Sequence, residues 1–214
     1  MKLLFIGNSH SYYNSLPETV YRLLEATGLK PHVTALAEGG KGLSYHASSP
    51  NTALNIRCGR YDAVIAQDRA STFDPVSFRE HARALKELTE RTEARFFLYM
   101  PSAGKENREL QRTMTEAYLS FCHAHGCCFA PVGEVFCRLL QTEAPELLYR
   151  EDGKHATPVG GYAAAVTIFY TITGRKRVIN VSTINDPGIA AGIPEELCQR
   201  IHTEACRMTR LYNG

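Results

Sequence analysis

Met1-Lys2-Leu3-Leu4-Phe5-Ile6-Gly7-Asn8-Ser9-His10-Ser11 opens the chain, and its reading decides the fold. The apolar run covers only Leu3 to Ile6. The hydrophobic region of a signal peptide takes roughly 7–15 residues, so the run reads instead as a buried strand of an uncleaved, cytoplasmic protein. Four more short apolar or β-branched runs follow, at His32–Leu36, Asp62–Gln67, Arg95–Met100 and Cys128–Val132. Each reads as a strand covered on both faces. Amphipathic stretches separate them. Thr19–Ala26 carries Val20, Leu23 and Leu24. Phe78–Leu88 carries Phe78, Ala82, Leu85 and Leu88. Leu110–Phe121 carries Met114, Ala117 and Tyr118 and stops at Gly126. Alternating strands and helices imply βαβ units, hence an α/β fold with a five-stranded, mostly parallel sheet under helices on both faces.

Two helices close the chain. One starts at Thr157-Pro158, a cap residue followed by a first-turn proline, and carries Val159, Tyr162, Val166 and Phe169. The other runs from about Pro194 with Leu197, Ile201, Ala205 and Met208. Asn185-Asp186-Pro187-Gly188 reads as a plain loop. No internal repeat or linker divides the sequence, so residues 1–214 are expected to form one domain.

Composition excludes several classes. Of 214 residues, 44% are hydrophobic and 21% charged, which is ordinary for a globular chain. Lys and Arg number 24 against 22 Asp and Glu, with no long run of either sign. That balance argues against a nucleic-acid or anionic-membrane partner. No apolar stretch approaches the ~20 residues of a membrane span. Seven cysteines, an odd number, argue against a disulfide framework. The densest group, Cys122, His123, His125, Cys127 and Cys128, matches no zinc spacing and reads as a helix end running into a strand. No metal site is expected.

In an open parallel sheet, ligands bind beyond the carboxyl ends of the strands. After the first strand, Gly7-Asn8-Ser9 would turn sharply and leave the Ser9 hydroxyl at the mouth of the sheet, with backbone N–H groups aimed the same way. A serine hydroxyl needs a base. Asp152-Gly153-Lys154-His155 offers one, because a turn through Gly153 would set the Asp152 carboxylate on one imidazole nitrogen and leave the other to face a hydroxyl. His32, His81 and His202 read as surface or helix-face residues, whereas His10 and His46 fall close enough to the site to touch a substrate.

Together these two loops resemble the SGNH hydrolases, the GDSL-type esterases. The resemblance runs from residue 5 to about residue 170. It is nearest to a bacterial branch that opens with Gly-Asn-Ser and tyrosines and ends in Asp-Gly-x-His. It implies a flavodoxin-like three-layer α/β/α sandwich, with Ser9 as nucleophile, His155 as base and Asp152 as its orienting carboxylate. It also implies an oxyanion hole built from Ser9, a glycine after the second strand and an asparagine after the third. Glu38-Gly39-Gly40-Lys41-Gly42 supplies the glycine, Gly40 first and Gly39 next. The third block departs from the pattern: Ala66-Gln67-Asp68-Arg69 puts Arg69 at the asparagine position and Gln67 at the preceding glycine, and either side chain can donate hydrogen bonds.

The activity so implied is hydrolysis of small acyl esters, O-acetyl groups on carbohydrate among them, without a cofactor. Asn8, His10, Tyr12, Tyr13, Gly39, Tyr45 and His46 are the expected substrate contacts. Three rival readings remain: a ligand-binding protein on the same fold, motivated by Arg69; a flavodoxin-like nucleotide binder using Asn8–Tyr13, which lacks a second glycine and a P-loop lysine; and a Cys/His metal protein.

Overall fold

A computed structural model describes residues 1–214, apart from the side chain of Arg108. In chain order the elements are β1 (Lys2–Gly7), α1 (Ser9–Tyr12), α2 (Leu16–Ala26), β2 (His32–Ala37), α3 (Leu43–Ser48), α4 (Pro50–Gly59), β3 (Ala63–Gln67), α5 (Pro75–Glu90), β4 (Arg95–Met100), α6 (Arg108–His125), β5 (Cys128–Pro131), α7 (Val132–Leu139), α8 (Pro145–Leu148), α9 (Pro158–Thr173), α10 (Pro187–Ala190) and α11 (Glu195–Asn213). The strands form one sheet in the order β2-β1-β3-β4-β5, and every pairing is parallel. Phe5 stands opposite Ala35 on one side and Ile65 on the other. Strand order reverses at β1, so the loops after β1, β2 and β3 meet at the crevice where such sheets bind ligands.

Side chains alternate between two cores, as the pleat requires. Leu3, Phe5, Ala63, Ile65, Phe97, Tyr99 and Ala130 point to one face, where α2, α7, α9 and α11 cover them. Leu4, Ile6, Val64, Ala66, Phe96, Leu98 and Phe129 point to the other, under α3, α4, α5 and α6. The result is a three-layer α/β/α sandwich. Helix α9 is buried almost all round, from Gly160 to Ile172, because it lies between the sheet and α11. A helix so placed must be apolar on every side. Thr157 caps it by accepting from Gly160 N at 3.1 Å, and that cap fixes where the loop carrying His155 meets the helix.

Helices α3 and α4 were not apparent in the sequence. Their buried residues, Leu43, His46, Thr52 and Ile56, mix polar with apolar and make no clean stripe. Val132 begins α7 rather than ending β5. Two readings at the other end of the chain are corrected. The stretch 185–188 is not a plain loop: Asp186 caps α10, accepting from Gly188 N at 2.8 Å and Ile189 N at 3.2 Å, and is only 2% exposed. His202 is not a surface residue, being fully buried on α11 with Nε2 3.2 Å from Asp186 Oδ2. Tyr162 donates to Asp186 Oδ1 at 2.8 Å, and the Tyr170 hydroxyl lies 3.0 Å from His202 Nδ1. Burial acts to raise the Asp186 carboxyl, but hydrogen bonds from His202 and Tyr162 outweigh it and hold the group below its usual range.

This network pins α9 to α11. Removing one member leaves buried polar groups unpaired, which costs about 3–5 kcal/mol when a charged partner is lost and roughly 1 kcal/mol for a neutral hydrogen bond. Urea denaturation should therefore show Asp186→Ala destabilised by about 3 kcal/mol or more and Tyr162→Phe by far less.

Candidate active site

Gly7 ends β1, and a side chain there would not fit. A Cβ would collide with Ser11 Oγ and lie 2.5 Å from Gln67 Oε1. The chain turns through Asn8, whose Oδ1 accepts from His10 N at 3.1 Å and starts α1. Ser9 is the first residue of that helix, so its N–H has no partner within it. Three ties hold the turn. Asn8 N and Ser11 Oγ both donate to Gln67 Oε1, at 3.0 and 2.8 Å, and Asn8 Nδ2 donates to Lys41 O at 2.7 Å. The loops after β1, β2 and β3 are thereby locked together.

The His155 loop is positioned from two directions. An isolated bridge pairs Tyr149 with Ala156, and Gly153 takes a positive φ of 65° between Asp152 and His155. From the β1 side, Asn14 Nδ2 donates to Ala156 O at 2.9 Å and Thr157 O at 3.0 Å. Asp152 Oδ1 accepts from the N–H groups of Lys154 and His155, both at 2.9 Å, while Oδ2 lies 2.5 Å from His155 Nδ1. His155 Nε2 lies 2.9 Å from Ser9 Oγ. Hydroxyl, imidazole and carboxylate thus form one continuous chain. With Nδ1–H donating to Asp152, Nε2 is left to accept a hydrogen bond from the Ser9 hydroxyl. The hydrogen bond from His155 holds the Asp152 carboxyl well below the usual carboxylate range.

Two rings clamp the imidazole. His10 stacks on His155 with centroids 5.3 Å apart, and Tyr13 packs against it at 4.8 Å. The Arg150 guanidinium lies 5.0 Å over the Tyr13 ring. Burial, with a smaller contribution from His155, pushes His10 down to about 4, so its ring stays neutral beside His155. His10 and Tyr13 were expected as substrate contacts. Both pack against His155, and His10 also lines the cleft beside Ser9.

Several other residues stand apart from their expected roles. Gln67 is fully buried; Oε1 receives Asn8 N and Ser11, and Nε2 donates to Asp68 O. Its amide is spent on the turn and is not an oxyanion donor. Asn8 lines the cleft but is 2% exposed, and both ends of its amide are engaged in holding the turn. His46 is buried too: Nε2 donates to Gly7 O at 2.8 Å and Nδ1 lies 3.3 Å from Thr52 Oγ1, so it braces the end of β1 instead of touching a ligand. Asp68, overlooked in the sequence, accepts from Leu43 N at 3.0 Å and Arg69 N at 2.8 Å, and burial pushes its carboxyl up. The only sequence signal was a pair of polar residues closing an apolar run.

Gly40 occupies a turn closed by Lys41 N and Glu38 O at 3.1 Å, with φ of +72°, a conformation only glycine adopts without strain. Gly40, Ser9, His155 and Arg69 line one open cleft of about 390 Å³. Gly39 lies just behind, where a Cβ would come 3.2 Å from the Tyr12 hydroxyl. Tyr12 and Tyr45 are both exposed, and Tyr45 donates to Glu38 Oε2 at 2.6 Å.

No protein-family model matches the chain, and no curated protein matches it. Solved structures do. A provisionally assigned SGNH hydrolase from Slackia heliotrinireducens superposes with a TM-score of 0.69 at 23% identity, over 80% of this chain and 98% of that one. TesA gives 0.63 at 10% identity, over 81% and 99%. A variant of Axe2, an acetyl-xylooligosaccharide esterase from Geobacillus stearothermophilus, gives 0.67 at 18% identity, over 81% and 94%. Catalytic mutants of Axe2, in which a serine or a histidine is replaced by alanine, also superpose. The fold of the chain is therefore that of the SGNH hydrolases.

The depressed His10 has a consequence for stability. An unfolded histidine titrates near 6.5, so between about 6.5 and the folded value of about 4 the unfolded chain binds the extra proton. Stability conferred at neutral pH is lost as pH falls through that window. Melting temperatures measured from pH 7 to pH 4.5 should drop more steeply for wild type than for His10→Phe.

Proposed function

We propose that this chain is a serine hydrolase of the SGNH superfamily, one domain spanning residues 1–214, that cleaves small acyl esters through an acyl-enzyme. The observation that carries this reading is the 2.9 Å contact between Ser9 Oγ and His155 Nε2, backed by Asp152 on Nδ1. Ser9 Oγ attacks the ester carbonyl carbon as its proton passes to His155 Nε2. The oxyanion that forms is held by the N–H groups of Ser9 and Gly40, with Arg69 as a third candidate donor at the rim. Collapse of the tetrahedral intermediate expels the alcohol, which takes the proton from His155. Water then repeats the sequence on the acyl-serine and frees the acid and Ser9. Asp152 keeps the imidazole in one tautomer and stabilises its protonated form. Every step uses side chains and backbone groups of this chain.

The likeness to an acetyl-xylooligosaccharide esterase supports O-acetyl groups on carbohydrate as the substrate class. Tyr12, exposed beside Gly39, offers a ring on which a sugar can pack. A cysteine set of odd number suits a reducing compartment, which supports a cytoplasmic location.

Hydrolysis of 4-nitrophenyl acetate tests the reading. Ser9→Ala and His155→Ala should each lower kcat/KM by at least about 10³-fold, and Asp152→Asn by up to roughly 10⁴-fold, with folding intact by circular dichroism. Turnover that survives Ser9→Ala overturns the mechanism. A folded wild type that turns over no ester favours the ligand-binding alternative.

A further inference from the structure

Charge in the cleft bears on which esters fit it. Among the residues lining it, two are cationic, Arg69 and Lys154, and none carries a carboxylate. The two come from different loops, one after β3 and one before α9. Neither makes an ion pair among the described residues, although nearby lysines do find partners: Lys105 pairs with Glu146, and Lys41 lies over the Tyr45 ring. Of the carboxylates nearest in sequence, Asp68 receives backbone N–H groups and lies near enough to Arg69 to feel its charge without forming an ion pair, and Asp152 receives His155.

Arg69 is also seated rather than loose. Its N–H is fixed on Asp68 Oδ1 at 2.8 Å, and its stem crosses Gly42, where an added Cβ would come within 3.2 Å of Cγ and 3.3 Å of Nε. Lys154 is held at the backbone by Asp152. Ser71 and Thr72 add hydroxyls to the same wall. A guanidinium covered by an apolar group loses water and gains nothing in return, and a neutral oxygen repays only part of that loss. Covered by an anionic oxygen group, it gains charge-assisted, bidentate hydrogen bonds.

We propose that the esters this cleft selects carry a negatively charged oxygen group, a carboxylate or a phosphate, near the scissile bond, and that Arg69 and Lys154 recognise it. The proposal rests on the hydrolase reading of the same cleft. It assigns Arg69 to substrate selection in place of its candidate oxyanion role, which then falls to the backbone donors alone.

Acetyl esters of one shape but different charge test this: 4-acetoxybenzoate and 4-acetoxyphenyl phosphate against neutral 4-acetoxybenzamide. At low ionic strength, wild type should prefer one or both anions by about tenfold in kcat/KM, and the preference should shrink as salt rises toward about 0.5 M. The anion preferred distinguishes carboxylate from phosphate. Arg69→Gln and Lys154→Gln should each reduce the anion-to-neutral ratio at least about threefold, and the double variant should bring it near one. A wild-type ratio near one overturns the proposal and leaves the hydrolase reading standing. So does an Arg69→Gln variant that slows all three esters equally, which would mark Arg69 as an oxyanion donor. If no ester is turned over, calorimetric titration of wild type with 4-hydroxybenzoate, 4-hydroxyphenyl phosphate and 4-hydroxybenzamide reads the two cations alone. Tighter binding of the anions, lost in the double variant, sustains anion recognition by Arg69 and Lys154 apart from the hydrolase reading; equal binding overturns it.

Discussion

The contact between Ser9 Oγ and His155 Nε2 joins residues 146 positions apart in the chain, and much of the polar structure around it serves to hold those two groups in place. The first is fixed by the end of β1, the second by the cap of α9. Asn14 is the direct strut between them, its amide donating to the carbonyls of Ala156 and Thr157. Both ends are thus referred to one rigid frame, the sheet with α9 packed on it. A hydrogen bond of this kind is sensitive to displacements far smaller than a side chain, which explains why so many backbone and amide contacts converge on two short loops.

The frame is unusually polar where it meets the site. Asn8, Gln67, Asp68 and His46 are all buried, and each is satisfied by named partners. Such groups stabilise little on balance, because each hydrogen bond replaces one to water. Their effect is geometric. Gln67 accepts from two groups of the β1 turn through one oxygen, so the loop cannot shift without orphaning a buried acceptor. Gln67 therefore supports the turn that carries Ser9 from below, and the positive charge of Arg69 is left facing the cleft.

How much of this could be read from the residues alone follows from the kind of signal each carried. Strands were legible because runs such as Leu3–Ile6 and Ala63–Ala66 are apolar on both faces, and the observed strands begin or end within a residue of those runs. The α9 start was legible because Thr157-Pro158 encodes a cap chemically. Ser9, Asp152 and His155 stood out only as a set, because a Gly-x-Ser turn after a strand and an Asp-x-x-His turn before a helix are each common alone, and it is their pairing that resembles the SGNH hydrolases. Helices α3 and α4 were hidden because their inward faces use His46 and Thr52 beside Leu43 and Ile56. The inward turn of Asn8, Gln67, Asp186 and His202 was hidden for a related reason: a polar side chain carries no local mark of whether water or another buried group satisfies it. His10 and Tyr13 were found in the right neighbourhood, but that they pack on the His155 ring depends on a loop far along the chain.

The most direct measurement of the central claim is covalent. Incubating the folded protein with a fluorophosphonate, then mapping the adduct by peptide mass spectrometry, asks whether one hydroxyl in the chain is activated. The account requires one equivalent of adduct, on Ser9. No adduct on folded protein, or an adduct on any other residue with Ser9 unmodified, would contradict it.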